Sequence, residues 1–338
     1  MKQSIRIALL SLFMTIAGQT GQALAGEPRL TFFRIGAGPT TETLYALSTA
    51  ISAGISRPPG SLPCNEGGVC GVPGLIAVAQ SRSGSIDNLF AMMRGELESA
   101  LVRADVAFQA YHGGGPFKYE GAQENLRVIA NLTPVSLHIV VPAGSDINSV
   151  RDLRGKRISV GARGSGTRDL SLIVLRTNSL APRDLSLRYM KPGPASDALY
   201  RGDLDALFLV GAAPVDAIAD LAERMELRLL PLEGYPRRQL FSLFPFIETD
   251  AIIGGTYEGI KETQTVKMGV QWVVWQDTDE TLIEQITQAL WQSDTSALFN
   301  RNNPRHTFPD PRYGVPEKSI PMHPGATRYY QQAGLLAP

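Results

Sequence analysis

The sequence has few of the residues that most often perform chemistry. Its 338 residues include two cysteines and four histidines, and 32 basic residues balance 32 acidic ones. None of the histidines lies in a pair with metal-ligand spacing, and the carboxylates form no paired pattern. A basic stripe with interleaved aromatic residues, which is typical of nucleic-acid-binding proteins, is also missing. These absences argue against a metal centre, a cofactor and a nucleic-acid partner, and they favour binding over catalysis.

A hydrophobic run long enough to span a membrane is missing as well. Lys2 and Arg6 precede an apolar run at residues 7–17, and a small-residue Ala-Leu-Ala segment precedes Gly26. This order is typical of a secretory signal peptide. The apolar run falls short of the roughly 20 residues needed to cross a bilayer, and no cysteine near the cleavage point offers a lipid anchor. We therefore expect a signal peptide at residues 1–25 and a soluble, periplasmic mature protein.

The two cysteines, Cys64 and Cys70, lie close together in the chain. In an oxidising compartment this spacing favours a local disulfide over two free thiols. Because no histidine lies nearby, we do not expect a metal site at these cysteines.

The most informative segment is 152–167. A basic turn leads into a short strand, then a loop with three glycines, then Ser165 and Thr167, and an amphipathic helix follows. Serine or threonine at a helix start accepts a backbone N–H, and the helix dipole favours negative charge at that end. Glycines let a ligand approach the remaining N–H groups. The pattern predicts an anion site, for a carboxylate, at Ser165, Gly166 and Thr167.

A short repeat indicates two similar lobes. Segment 94–101 resembles 201–207, and in each a helix ends at glycine and leads directly into an apolar strand. Such alternation builds α/β units with parallel sheets. A strand predicted at 266–275 and a helix predicted at 281–291 would return the chain to the first lobe.

The predicted organisation is therefore an α/β fold of two domains joined by hinge strands. Lobe I would comprise residues 26–137 and 250–338, and lobe II residues 138–249. Ligands prefer the cleft that such an arrangement creates.

Arg103 and a threonine cluster are further candidates for the cleft. Arg103 follows a strand, and a cation at the carboxyl end of a strand points into the ligand crevice, where arginine can bind a carboxylate at two points. The alternative is a salt bridge to Asp105 or Glu98. Near the start of the first lobe, Gly36-Ala37-Gly38 lacks the third glycine and the acidic residue of a dinucleotide site. A helix start at Thr40, Thr41 and Thr43 suits a ligand oxygen better, with ordinary capping as the alternative.

Several short motifs occur in the order found in one known family. They are Ile-Gly-Ala-Gly at 35–38, Val-Pro-Gly-Leu at 72–75, Gly-Ser-Ile-Asp-Asn at 84–88, Ala-Asp-Val-Ala at 104–107, Leu-Arg-Gly-Lys-Arg at 153–157, Gly-Ser-Gly-Thr at 164–167, Phe-Leu-Val-Gly at 208–211, Gly-Thr-Tyr at 255–257 and His-Pro-Gly-Ala at 323–326. In this ordered set the mature chain resembles the TAXI-type solute-binding receptors of TRAP transporters.

The resemblance implies a two-lobed, type II-like periplasmic binding protein that closes on a small organic anion. It implies glutamate, 2-oxoglutarate or a related acid as the ligand, and a sodium-coupled TRAP membrane permease as the partner. No cofactor is implied, and we expect a monomer. With the candidates above, the expected ligand shell is Gly38, Thr40, Thr41, Thr43, Ser85, Arg103, Ser165, Gly166, Thr167 and Gly211.

The chain departs from the family pattern at three places. It has Thr-Glu-Thr-Leu at 41–44 where relatives have Gly-Gly-Thr-Tyr, Arg103 where they have glutamine, and Ala212 where a second glycine commonly follows Gly211. Arg103 would favour an additional ligand carboxylate. Two other functions stay open on the sequence: an exported hydrolase that uses Ser165, although its Gly-x-Ser-x-Gly elbow is missing, and a ligand-sensing partner of a membrane signalling protein.

Overall fold

A computed structural model describes residues 30–40, 43–244, 246–315 and 320–337. The predicted signal peptide and Thr41 lie outside these residues. Each helix within them is too short or too polar to cross a membrane. Cys64 and Cys70 form the predicted disulfide.

The described residues form twelve strands and ten α-helices. The strands are β1 (Thr31–Ala37), β2 (Ser56–Arg57), β3 (Val72–Pro73), β4 (Leu75–Ser81), β5 (Ser99–Arg103), β6 (Leu126–Pro142), β7 (Arg157–Ser159), β8 (Ser186–Arg188), β9 (Ala206–Gly211), β10 (Leu227–Leu229), β11 (Glu248–Ile252) and β12 (Thr263–Trp275). The helices are α1 (Thr43–Ile55), α2 (Ser85–Met93), α3 (Ala104–Tyr111), α4 (Gly166–Thr177), α5 (Pro192–Tyr200), α6 (Asp216–Ala222), α7 (Gly234–Leu243), α8 (Glu280–Leu290), α9 (Ser293–Asn302) and α10 (Pro324–Gln332).

Ten of the strands form one sheet, in the order β4-β1-β5-β12-β6-β9-β7-β8, with β10 beside β6 and β11 beside β12. The block β4-β1-β5 is parallel and lies in the residues that we propose as lobe I, and the block β9-β7-β8 is parallel and lies in those that we propose as lobe II. Alternating helix and strand segments produce such parallel blocks because each crossover helix covers a sheet face. The two-lobed α/β class predicted from the sequence is confirmed.

Two long antiparallel strands, β6 and β12, connect the blocks. Near its start β6 pairs with the end of β12, which also pairs with β5 of lobe I. Near its end β6 pairs with β9 of lobe II, from Ser136 opposite Gly211 to Val140 opposite Leu207. The predicted lobe boundaries at 137/138 and 249/250 fall within β6 and β11, and we retain them as a proposed division of the chain.

The sequence repeat corresponds to a repeated structural unit. Gly95 lies two residues after the end of α2 and precedes β5, and Gly202 lies two residues after the end of α5 and precedes β9. Both glycines have positive φ, 71° and 76°, and both donate their N–H to a carbonyl of the last helical turn. This left-handed closure is the usual reason for glycine just after a helix. In each unit the chain therefore leaves the helix through the same left-handed glycine turn and then enters the next strand.

Candidate functional site

The segment 164–167, which we call the cradle, forms the start of α4 as predicted from its helix-start pattern. Ser165 caps the helix: its Oγ accepts a hydrogen bond from the Arg168 N–H at 3.2 Å and donates one to the Ala162 carbonyl at 2.7 Å. The amides of Gly166 and Thr167 are the first two of the helix, and such amides have no acceptor inside it. The cradle therefore presents backbone donors, while the Ser165 hydroxyl is occupied by backbone contacts.

Glycine at position 166 allows lobe I to approach the cradle closely. A Cβ added to Gly166 would lie 3.0 Å from Cγ2 of Val106 and 3.2 Å from Cζ of Arg103. Both neighbours belong to lobe I, at β5 and α3. A side chain at 166 would force these neighbours to move, so this glycine serves close approach rather than its own φ.

The start of α2 in lobe I faces the cradle directly. The Asp87 N–H donates to the Gly164 carbonyl at 3.2 Å, and a Cβ added to Gly84 would lie 3.2 Å from Cα of Ser165. Ser85 is buried, and its Oγ accepts a hydrogen bond from the Arg103 N–H at 3.1 Å. Two helix N-termini from opposite lobes thus meet across the cleft, and the lobes are in contact.

Arg103 lies behind the cradle with its side chain only 4% exposed. Its Nε donates to Oδ1 of the fully buried Asp105 at 2.9 Å, and its Nη2 pairs with the other carboxylate oxygen. The salt bridge to Asp105 that the sequence left open is therefore present. Its Nη1 is a buried atom with no hydrogen-bond partner among the described residues. Because Asp105 takes only Nε–H and one N–H of Nη2, both N–H groups of Nη1 and the second N–H of Nη2 are left for a ligand without displacement of Asp105.

A second polar contact crosses the cleft beside this ion pair. Asp169 of α4 accepts a hydrogen bond from Nε2 of Gln109 of α3 at 2.9 Å. Burial raises the pKa of Asp169 above the usual aspartate value, and the Gln109 hydrogen bond opposes that change. The closed arrangement thus places a second carboxylate close to Asp105 and Arg103.

The other predicted residues are Thr43, Gly211, Gly38 and Thr40. Thr43 begins α1, and its Oγ1 lies 3.1 Å from Nε2 of His306. Gly211 ends β9, and Gly38 is buried, its carbonyl accepting from the Ser81 hydroxyl at 3.3 Å. Thr40 is exposed. The first helix start therefore contributes Thr43 to the cleft.

Two small spaces separate the predicted residues of the two lobes. One, of about 20 Å³, is lined by Ser165 and Thr167, and the other, of about 30 Å³, by Thr43 and Gly211. Each is large enough for about one or two water molecules. The structure thus brings these four residues together, but a bound organic acid would require the lobes to separate.

A much larger space, of about 600 Å³, lies at the hinge end of the same cleft. We call it the hinge cavity. Its charged or titratable lining residues are Asp250, Lys267, Arg305 and His306. None of them was predicted as a site residue. They come from three separate segments, of which one contributes the consecutive Arg305 and His306, and only the fold brings them together, so no local sequence pattern marks them. A volume of this size lies in the range of small-molecule sites.

One wall of the hinge cavity is held by a buried hydrogen-bond chain. Burial lowers the pKa of His138 from 6.5 to about 4, so the ring is neutral near pH 7. Its Nδ1–H donates to the Ser136 carbonyl at 3.0 Å, because a carbonyl can only accept. The Tyr257 hydroxyl donates to Nε2 at 2.9 Å and accepts from the Val215 N–H at 2.9 Å. The chain fixes the loop that follows β9 to the hinge strand β6.

Among the described residues, no cluster of three His, Cys, Asp or Glu side chains is placed to hold a metal ion.

The chain was compared with known structures and with a family model. A protein of Bordetella bronchiseptica RB50 superimposes with a TM-score of 0.54 at 13% identity, covering 90% of this chain and 98% of that one. The alkanesulfonate-binding protein SsuA of Xanthomonas axonopodis pv. citri, bound to MOPS, gives a TM-score of 0.49 at 16% identity, with 90% and 92% covered. The periplasmic aliphatic sulphonate binding protein SsuA of Escherichia coli gives 0.47 at 16% identity, with 90% of each chain covered. At these identities the similarity concerns the fold alone. The model of the NMT1-like family matches residues 35–334, nearly the whole described chain, and the protein therefore belongs to the NMT1-like family.

Proposed function

We propose that the protein is an extracytoplasmic solute receptor. It binds a small carboxylate-bearing solute in the cleft between its lobes and delivers the solute to a membrane transporter. The signal-peptide pattern at residues 1–25 supports export, and the two-lobed fold supports capture between the lobes.

The observation that carries this proposal is the convergence of donors without acceptors at the cradle. The first amides of α4 have no acceptor within the helix, and the guanidinium of Arg103, whose Nη1 is buried and unpartnered, packs against Gly166. The N-terminus of α2 faces them from lobe I. Helix starts attract anions through free N–H groups and the helix dipole. A carboxylate placed here would satisfy donors that otherwise stay unpaired in a buried place, which costs free energy.

Solute capture would couple to lobe closure. Opening about β6 and β12 breaks the contact between Asp87 and Gly164 and the contact between Gln109 and Asp169. These contacts re-form on closure, and a bound carboxylate adds its own hydrogen bonds only when both lobes surround it. In hinge closure of this kind, a ligand that binds the closed state more tightly shifts the population toward that state. The size of the shift is set by the difference between its affinities for the closed and open states.

The transporter we propose is a sodium-coupled TRAP permease, with this chain as a TAXI-type receptor and glutamate, 2-oxoglutarate or a related acid as the solute. The ordered motifs between residues 35 and 326 support this assignment. Arg103 and Ala212 depart from the family pattern, so the preferred acid is set by this chain's own cleft. The hydroxyl of Ser165 bonds to backbone atoms, which favours a receptor over the hydrolase alternative.

A thermal-shift screen of organic acids, followed by calorimetry on the hits, tests this function. The expected result is saturable stabilisation by one class of carboxylate, with the solute recovered unchanged. Conversion of the solute would identify an enzyme instead. A folded protein that binds no carboxylic acid would end the proposal.

A further inference from the structure

The cradle and the hinge cavity are two ends of one continuous cleft. The two small spaces next to the cradle share Pro192, Leu209 and Val210. The second of them shares Thr43 and Ala212 with the hinge cavity. A solute whose carboxylate lies at the cradle therefore extends toward the hinge cavity as soon as the cleft widens.

The basic side chains of the hinge cavity are already paired. Nζ of Lys267 lies 3.6 Å from Oε2 of Glu248. Arg305 contacts three acidic residues, two in α6 and one just after it, so three negative charges surround its single positive charge. These are Asp216 at 3.1 Å, Asp220 at 3.0 Å and Glu223 at 3.6 Å. Burial lowers the pKa of His306, which favours its neutral form near pH 7. The cavity therefore offers no free positive charge from its described lining residues.

Asp250 is the opposite case. It is half-buried in the cavity wall, and one carboxylate oxygen accepts a hydrogen bond from Oγ of Ser136 at 2.5 Å. Its ion-pair partner is missing from the described part of the chain: no Lys, Arg or His nitrogen there lies within 4 Å of the carboxylate, whereas the neighbouring carboxylates of Glu248 and Asp216 are paired. His138, which is buried close by, is neutral for the reason given above. A partly buried carboxylate without a cation is stabilised by any cation that reaches it.

The two ends of the cleft thus carry opposite preferences. The cradle offers amides and the unpartnered Nη1 of Arg103, whose side chain is more than nine-tenths buried, and the hinge cavity offers the uncompensated charge of Asp250. From this we infer that the solute is a zwitterion with its charges at opposite ends, a carboxylate held at the cradle and a protonated amine or guanidinium held by Asp250. The inference rests on the receptor function proposed above and specifies its substrate class. A dicarboxylate, the solute class that the family resemblance suggests, would bring its second negative charge toward Asp250 and the acidic residues around Arg305, so the inference departs from that part of the assignment.

Calorimetry with matched probes tests this inference. 5-Aminopentanoate and adipate have the same chain of four methylene groups and differ in one end group, an ammonium or a carboxylate. We expect 5-aminopentanoate, or its longer homologue 6-aminohexanoate, to bind at least about tenfold more tightly than adipate. Asp250→Asn keeps an acceptor for Ser136 and removes the charge. It should weaken binding of the amino acids by about tenfold and leave adipate binding unchanged or tighter.

Asp203→Asn is the control, because it removes an exposed lobe II carboxylate that pairs with Arg201 outside the cleft. It should leave every affinity unchanged. Adipate binding by the Asp250→Asn protein reports that the variant is folded. If dicarboxylates bind best and Asp250→Asn changes nothing, the zwitterion inference is overturned while the receptor function stands. If neither class binds to the folded wild-type protein, the receptor function fails together with the inference.

Discussion

The cradle and the hinge cavity lie in the same cleft but are built from different parts of the chain. The cradle is one continuous segment, and its donors are backbone amides ordered by a helix start. The hinge cavity is formed by side chains on separate elements, including Thr43, Asp250 and Arg305. Backbone amides are the same in every sequence, so a cradle of this kind binds anions in general. The side chains of the cavity vary, so they determine which anion-bearing solute is preferred.

The largest expected effect comes from breaking the ion pair behind the cradle. Arg103→Met leaves the carboxylate of Asp105 buried and unpaired, which should lower the free energy of unfolding by about 3–5 kcal/mol. The double variant Arg103→Met, Asp105→Leu replaces the pair by apolar side chains and should recover most of that stability. Urea unfolding measures both effects.

Calorimetry on the double variant then separates structure from binding. If Nη1 of Arg103 donates to the solute, carboxylate binding stays weak although stability has returned. Recovery of full affinity would show that Arg103 only holds Asp105, and the cradle would then consist of amides alone.

The next effect concerns the wall of the hinge cavity and depends on pH. Between pH 6.5 and about 4 the unfolded chain binds a proton at His138 and the folded chain does not. Above pH 6.5 the neutral His138 therefore costs no stability. As the pH falls from 6.5 to about 4, the free energy of unfolding should decrease by about 3 kcal/mol in total because of this residue. His138→Gln should remove this part of the pH dependence, as measured by urea unfolding at several pH values.

His112→Gln is the matched control, because His112 is an exposed histidine of lobe I. It should keep the wild-type slope of stability against pH. Equal slopes for His138→Gln and wild type would mean that burial does not hold His138 in its neutral form.

A third variant tests whether the cradle needs the lobes in contact. Gly166→Val puts a side chain against Val106 and Arg103, so closure should cost about 1–3 kcal/mol and the affinity for carboxylates should fall roughly tenfold to a hundredfold. Gly193→Val introduces the same side chain at the start of α5, where nothing lies within 4 Å of the added Cβ. Calorimetry should show unchanged affinity for the control. Equal affinities for the two variants would mean that carboxylate binding does not depend on close contact between the lobes at Gly166.

The smallest effect is expected where the two regions meet. Thr43 lies next to His306 and lines both the hinge cavity and the adjoining small space. Thr43→Val keeps the shape and removes the hydroxyl, which should lower solute affinity by about threefold to tenfold. Thr49→Val on the exposed side of α1 is the control. Equal solute affinities of the two variants in calorimetry would indicate that the solute lies nearer to the cradle than to Thr43.

The same contrast explains what the sequence could predict. The cradle, the disulfide and the repeated helix–glycine–strand unit are each encoded within a few neighbouring residues, and each is present in the structure. Two α/β lobes follow from the repeat because such units have few ways to pack. Thr43 was identifiable as a helix-start residue for the same local reason.

What could not be predicted depends on contacts between distant segments. Arg103 had two candidate partners, and Glu98 is taken by Arg34 of the distant strand β1, whereas Asp105 takes two nitrogens of Arg103. Asp250 and Arg305 face one cavity because β11 and the segment after α9 meet at the hinge strands. No residue spacing in the sequence indicates that these two segments are neighbours in the fold.

The most direct measurement is an NMR titration of ¹⁵N-labelled protein with the acid that binds best in calorimetry. The amide resonances of Gly166 and Thr167 should shift saturably, with the same dissociation constant as the calorimetric one, because their N–H groups take the carboxylate. Saturable binding that leaves both resonances unmoved would contradict the account, since the carboxylate would then lie elsewhere.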